Sequence, residues 1–239
     1  MRWQCLKRLE MNPLPVKSDA AAIQSGIKAV IFDFDGVILE SSEIKTEAFR
    51  ELFENRFPAF LDEILEHHRK NMGISRFVKF RYVYENILKQ PYTPETEVKL
   101  GSEFSKIVYQ KVLEAPFVPG AYEFITRNQG IYPMFIASGT PERELGEIVA
   151  LRNLKPYFAE IHGAPRSKPQ IITGIMKGYG YQPQEIAFVG DAESDMRAAK
   201  ETSVYFIGRI KGGNLNPKDF NPAVEDLTHL GEVLGRLKK

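Results

Sequence analysis

A single cysteine, Cys5, is the only thiol in this 239-residue sequence. One thiol cannot close a disulfide within the chain, and a reducing compartment is the simplest expectation. Long apolar runs are missing too: none approaches the roughly 18 residues that a membrane-spanning helix needs. The N-terminus alternates charged and apolar residues where a signal peptide would have a continuous apolar centre. A cytoplasmic location with no membrane partner is therefore expected. Charge of one sign is also scarce, since 32 Lys and Arg face 31 Asp and Glu for a formal net charge of +1. Basic stretches such as Lys238-Lys239 are too short for a nucleic-acid footprint, so nucleic acid is not an expected partner. There is no internal repeat and no low-complexity tract.

What is present is ordinary globular composition, 43% hydrophobic and 26% charged, at a length that fits one large domain or a core with a modest insert. Residues 1–25, through Met11-Asn12-Pro13-Leu14-Pro15, read as an irregular lead-in in which Met11 is a candidate start. Apolar, β-branched runs at 28–32, 132–137, 185–189 and 203–207, with a weaker one at 159–162, predict strands buried on both faces. Helical spacing separates them. Leu145, Ile148 and Val149 follow Thr140-Pro141, and Ile171, Ile172, Ile175 and Met176 follow the candidate N-cap Ser167. This alternation predicts an α/β fold, a Rossmann-like three-layer core with a parallel sheet and ligands at the strands' carboxyl ends. From 42 to 115 the strand signal gives way to four helical patterns, an inserted helical subdomain that splits the core into 1–41 and 116–239. Its stripes, among them Phe49, Phe53, Phe60, Phe77, Phe80, Tyr84, Ile87 and Phe104, are expected to be the insert's own core.

The first strand ends in Asp33-Phe34-Asp35-Gly36, two carboxylates two residues apart that point the same way. Ala137-Ser138-Gly139-Thr140 brings a hydroxyl and backbone N–H groups to a helix start, a setting for phosphate oxygens and equally for plain turn-and-cap chemistry. Lys168 opens a helix, where a cation opposes the dipole and makes better sense if it reaches anionic oxygens in the crevice, with an ordinary solvated lysine as the other reading. Another apolar strand ends in Gly190-Asp191-Ala192-Glu193-Ser194-Asp195. Four acidic groups at neighbouring strand ends raise one another's pKa values unless a cation sits among them. An oxygen-only set, free of His and Cys, indicates Mg²⁺ over zinc.

In this order the four segments resemble the motifs of the haloacid dehalogenase-like superfamily, in the capped phosphatase type that includes phosphoglycolate phosphatases and β-phosphoglucomutases. The resemblance runs over about residues 28–208, with the helical insert in the place of that superfamily's cap. It implies that Asp33 attacks phosphorus to form an aspartyl-phosphate and that Asp35 is the general acid and base. Ser138 and Gly139 would hold phosphoryl oxygens, and Lys168 would offset the charge of Asp33 and the phosphoryl group. Mg²⁺ would be held by Asp33, the backbone carbonyl of Asp35 and Asp191, with Asp195 a ligand directly or through water; Glu193 is the other nearby carboxylate. Two features depart from the pattern: Glu40 stands where many capped relatives carry Asp, and Arg166 shares the loop with Lys168.

A closing cap restricts substrates to small molecules, so the expected activity is Mg²⁺-dependent hydrolysis of a small phosphorylated metabolite's monoester by a monomer or homodimer. Arg76, in Gly73-Ile74-Ser75-Arg76, is the specificity candidate, with a turn capped by Ser75 as the other reading. Arg69, Lys70, Lys79 and Arg81 are read as a solvated face, and His67 and His68 as structural. A sugar phosphomutase would use the same core residues, and a non-catalytic binding module is the alternative from another class. Asp35 and the acidic fourth motif speak against a dehalogenase. A phosphonate hydrolase would need a Schiff-base lysine, for which Lys45 stands in position.

Overall fold

Ala29, Val30, Ile31 and Phe32 are all fully buried in the computed structural model, which describes residues 26–210 and 222–237. The lead-in, with Cys5 and Met11, lies outside the described residues. These four residues form β1 (Ala29–Phe32), at the middle of a six-stranded parallel sheet. The other strands are β2 (Met134–Pro141), β3 (Glu160–Ala164), β4 (Ile186–Gly190), β5 (Tyr205–Arg209) and the short β6 (Ala223–Val224), in the order β3-β2-β1-β4-β5-β6.

Side chains alternate across a strand, and here the alternation divides the apolar residues between two faces. Val30, Phe32, Met134, Ile136, Ala187 and Val189 face one core, packed by α5 (Ala121–Arg127), α6 (Glu142–Leu151) and α9 (Leu230–Arg236). Ala29, Ile31, Phe135, Ala137, Ile186 and Phe188 face the other, packed by α7 (Lys168–Tyr179) and α8 (Glu193–Thr202). The result is the expected three-layer α/β arrangement. Because β1 pairs with β2 on one side and β4 on the other, the connections diverge there and leave a crevice at the carboxyl ends of these strands.

The weak run at 159–162 is a full strand, β3. β2 begins two residues later than its sequence signal and continues through Ser138-Gly139-Thr140-Pro141, with a register shift against β3 between Ala137 and Pro141. The segment read as a turn is therefore irregular strand. Ser167 caps α7 in a full capping box: its side chain accepts from the Gln170 N–H, and the Gln170 side chain accepts from the Ser167 N–H.

Between β1 and α5 the described chain is helical: α1 (Ser42–Phe53), α2 (Leu61–Lys70), α3 (Arg76–Tyr82), continued by one π-helical turn, and α4 (Pro94–Glu114). Thr93 caps α4 by accepting from Thr96 N–H, with Pro94 in the first turn. Phe49, Phe53, Phe80 and Phe104 pack ring on ring at centroid separations of 5.2–6.1 Å. Phe60, expected in this core, is 40% exposed. It lies in a 3₁₀ turn, Pro58–Phe60, whose residues all remain unburied.

Candidate active site

Asp33 follows the last residue of β1 and is 2% exposed. Its Oδ1 accepts from the Phe34 N–H at 2.7 Å, and its Oδ2 lies 2.9 Å from the Lys168 ammonium. Lys168 sits at the first position of α7 and also bonds Asp195, on the first turn of α8. Asp195 Oδ2 accepts from the Ala192 N–H at 3.1 Å, and Asp191, just past β4, accepts from the Ser42 hydroxyl at 2.9 Å. Asp33, Asp191 and Asp195 each present an oxygen within 4.8 Å of the others.

Two glycines allow this approach. Gly36 has φ +78°, and a Cβ there would lie 1.9 Å from Asp191 Oδ2. At Gly190 a Cβ would fall 2.3 Å from the Asp195 Cβ.

Three buried carboxylates against one ammonium leave excess negative charge in a low dielectric. Burial, opposed by Lys168 and reinforced by Asp195 and Asp35, pushes Asp33 up to about 7. Burial and the charges of Asp33 and Asp195 raise Asp191 well above the carboxylate range, and burial raises Asp195 against the pull of Lys168. Burial works against the Lys168 charge, but Asp195 and Asp33 outweigh it and hold the ammonium ionised. A divalent cation among these oxygens would remove the repulsion, and the all-oxygen donor set suits a hard ion.

Asp35 belongs to a different network. Its Oδ1 accepts from the Ser41 hydroxyl at 2.7 Å, and its Oδ2 accepts from the Thr140 hydroxyl at 2.9 Å and from Lys45. Burial alone would raise its pKa; Lys45, with Ser41 and Thr140, outweighs burial and holds it below the usual range. Ser138 is 1% exposed, and its Oγ accepts from the Thr140 N–H at 3.1 Å, so its own proton can be donated into the crevice.

The helical segment closes over these groups. Ser194 Oγ donates to the Met72 carbonyl at 2.8 Å, and a Cβ on Gly139 would fall 2.6 Å from the Gly73 carbonyl oxygen. The cavity between them is lined by Asp33, Asp35, Ser138 and Asp191 from the core and by Lys45, His68, Arg76 and Lys79 from the helical segment. About 40 Å³ of it is open to the centre of a water molecule.

The expected site residues Asp33, Asp35, Ser138, Gly139 and Asp191 all line this cavity, and Lys168 and Asp195 stand behind Asp33. Arg166 is instead on the surface with Glu142 and His162, so Lys168 is the cation at Asp33. Glu193 is exposed and pairs with Arg197 at 2.9 Å. Glu40 binds the buried Arg209 through both oxygens, and Arg209 also donates to the Gly36 carbonyl, bracing the first motif's turn from behind.

Arg76 reaches the cavity wall with its guanidinium on Glu144 of α6 (2.5 and 3.1 Å), on Ser105 (2.9 Å) and over the Phe104 ring. It joins the helical segment to the core. Lys79, read as solvated, is 5% exposed and faces the cavity. Sequence reasoning also passed over Ser41, Ser42, Thr140 and Glu144.

The fold and this acidic crevice define a class: a three-layer α/β protein with a carboxylate cluster at the sheet's switch point, closed over by helices. The chain belongs to the haloacid dehalogenase-like hydrolase family, whose model matches residues 27–202. It is 23% identical over 183 residues to a phosphorylated carbohydrates phosphatase of Thermotoga maritima, covering 74% of this chain and 82% of that protein. It is 27% identical over 197 residues to a phosphoglycolate phosphatase of Pseudomonas putida, covering 78% and 71%. Among solved structures, a β-phosphoglucomutase from Clostridium difficile superposes with a TM-score of 0.68 at 21% identity, covering 85% of this chain and 93% of that one.

Proposed function

We propose that this hydrolase is a magnesium-dependent phosphatase that releases inorganic phosphate from a small phosphate monoester through an aspartyl-phosphate on Asp33. The observation that carries the reading is the position of Asp33: at the end of the central strand, bonded by Lys168, beside Asp191 and lining one cavity with Ser138. Phosphoryl transfer needs in-line positioning and neutralised anionic oxygens more than any other help, and this arrangement offers both.

An Asp33 oxygen attacks phosphorus as the P–O bond to the leaving group breaks, and Asp35 gives that alkoxide a proton. Water then attacks the same phosphorus, Asp35 takes its proton, and phosphate leaves with Asp33 restored. Ser138 donates to a phosphoryl oxygen and Lys168 offsets the growing charge. Asp33, Asp191 and Asp195, with the Asp35 carbonyl, would hold Mg²⁺, which supplies charge neutralisation and orientation of the phosphoryl group. Residues 42–115 act as a cap on a core made of the flanking segments, keeping bulk water from the intermediate. The names of the relatives support a phosphatase acting on small phosphorylated metabolites.

The test is phosphate release from a panel of small phosphate esters with Mg²⁺ or EDTA, using the wild type and Asp33→Asn. Activity that requires both Mg²⁺ and Asp33 is the expected result. Activity that survives either removal would sink the mechanism.

A further inference from the structure

Four cations approach the cavity, and three of them have carboxylate partners. Lys168 is held by Asp33 and Asp195, Lys45 by Asp35, and Arg76 by Glu144. Lys79 has no carboxylate partner among the described residues. Its ammonium donates to His68 Nδ1 at 3.1 Å and lies 4.9 Å from the centroid of the Phe49 ring. His68 Nε2 in turn meets the Thr46 hydroxyl at 3.2 Å. Burial, with repulsion from Lys79, pushes the His68 pKa down to about 2, so the ring stays neutral, accepting from Lys79 and donating to Thr46.

An unpaired ammonium in an aromatic pocket is a poor choice for stability, because a buried charge without a partner is costly and an apolar side chain of similar volume would avoid that cost. Burial, with Lys45 and Arg76 nearby, pushes Lys79 down to about 7. An ammonium has three donors, and only one is used here. The group faces a cavity whose opposite wall is the candidate phosphoryl site.

We propose that Lys79, held by His68, is the recognition site for a second anionic group of the substrate, so that the chain acts on short phosphate monoesters carrying a further carboxylate or phosphate. The proposal rests on the phosphatase reading for its first anion. The small cavity keeps the two anions a few bonds apart.

The test compares three two-carbon esters: 2-hydroxyethyl phosphate, which has no second charge, 2-phosphoglycolate, and ethane-1,2-diyl bisphosphate. For the wild type, kcat/KM for at least one charged ester exceeds that for the neutral ester by about tenfold or more, chiefly through KM. The better charged ester tells carboxylate from phosphate. In Lys79→Met, and in Lys79→Gln, which keeps a donor toward His68, that ratio collapses toward one. A Lys79 that only supported the fold would lower all three rates together and leave the ratio standing, which would overturn the proposal, as would a wild type without preference.

Calorimetric binding of the same esters to Asp33→Asn in Mg²⁺ separates the two readings. Charge-selective binding that is lost on adding Lys79→Gln, with no hydrolysis by the wild type, would remove the phosphatase reading and keep the anion site. Hydrolysis without charge preference would do the reverse, and failure to bind either charged ester overturns the anion site.

Discussion

Asp35 shows how its neighbours set what one carboxylate can do. Ser41, Thr140 and Lys45 all donate to it, which favours the ionised form, the form that accepts a proton from water in the proposed second step. Protonating the leaving group needs the acid form, so the first step asks Lys45 to loosen its hold as substrate enters. A leaving group that needs no proton bypasses this demand. With p-nitrophenyl phosphate, Asp35→Asn is therefore expected to release about one equivalent of nitrophenolate in a burst, then turn over roughly 10²–10⁴-fold more slowly than the wild type. Rapid mixing reads the burst. Full steady-state turnover by this variant would remove Asp35 from the mechanism.

Helix α3 is where the sequence pattern was hardest to read. The apolar spacing suggested a stripe of Phe77, Phe80, Tyr84 and Ile87, yet the buried face of this segment is Arg76, Lys79, Phe80, Val83 and Ile87. The two sets differ by about one residue of helical phase, and the discrepancy hid two cations on the inward face. Periodicity treats Lys and Arg as outward markers; here Glu144, 68 residues further along the chain, supplies the partner that permits Arg76 to be buried. No local spacing signals so distant a partner. By contrast, the positions of Asp33, Ser138 and Asp191 were legible because each follows a short apolar run, and that of Lys168 because the candidate N-cap Ser167 marks its helix start. The Arg76–Glu144 pair also makes α3 a strut between the two parts of the molecule. Arg76→Met leaves the largely covered Glu144 with only Ser105 as donor and is expected to lower stability by about 3 kcal/mol, read as a fall in the urea midpoint. Adding Glu144→Leu recovers most of that loss. An unchanged midpoint in the single variant would show that the pair does not hold the two parts together.

At the scale of the whole molecule, the parallel sheet brings Asp33, Asp191 and Asp195 together, buried, at its switch point. This concentration of charge ties stability to pH and metal. Asp33 is raised from 3.8 to about 7 in the folded, metal-free chain, and Asp191 and Asp195 are raised with it. Between those two values the folded state binds more protons than the unfolded chain. The metal-free protein therefore loses stability as pH rises through that window, the opposite of a salt-bridged carboxylate. A divalent ion favours the ionised carboxylates and cancels the loss, so the stabilisation it gives is larger above that window, where it no longer has to displace protons from those groups. Thermal unfolding in EDTA and in excess Mg²⁺, at pH 5 and pH 7.5, is expected to show a Tm increase from Mg²⁺ that is clearly greater at the higher pH. Asp191→Asn should raise the metal-free Tm at pH 7.5 and remove most of the response to Mg²⁺. A Tm increase that is equal at both pH values would mean that the three carboxylates are not the groups whose charge the metal offsets.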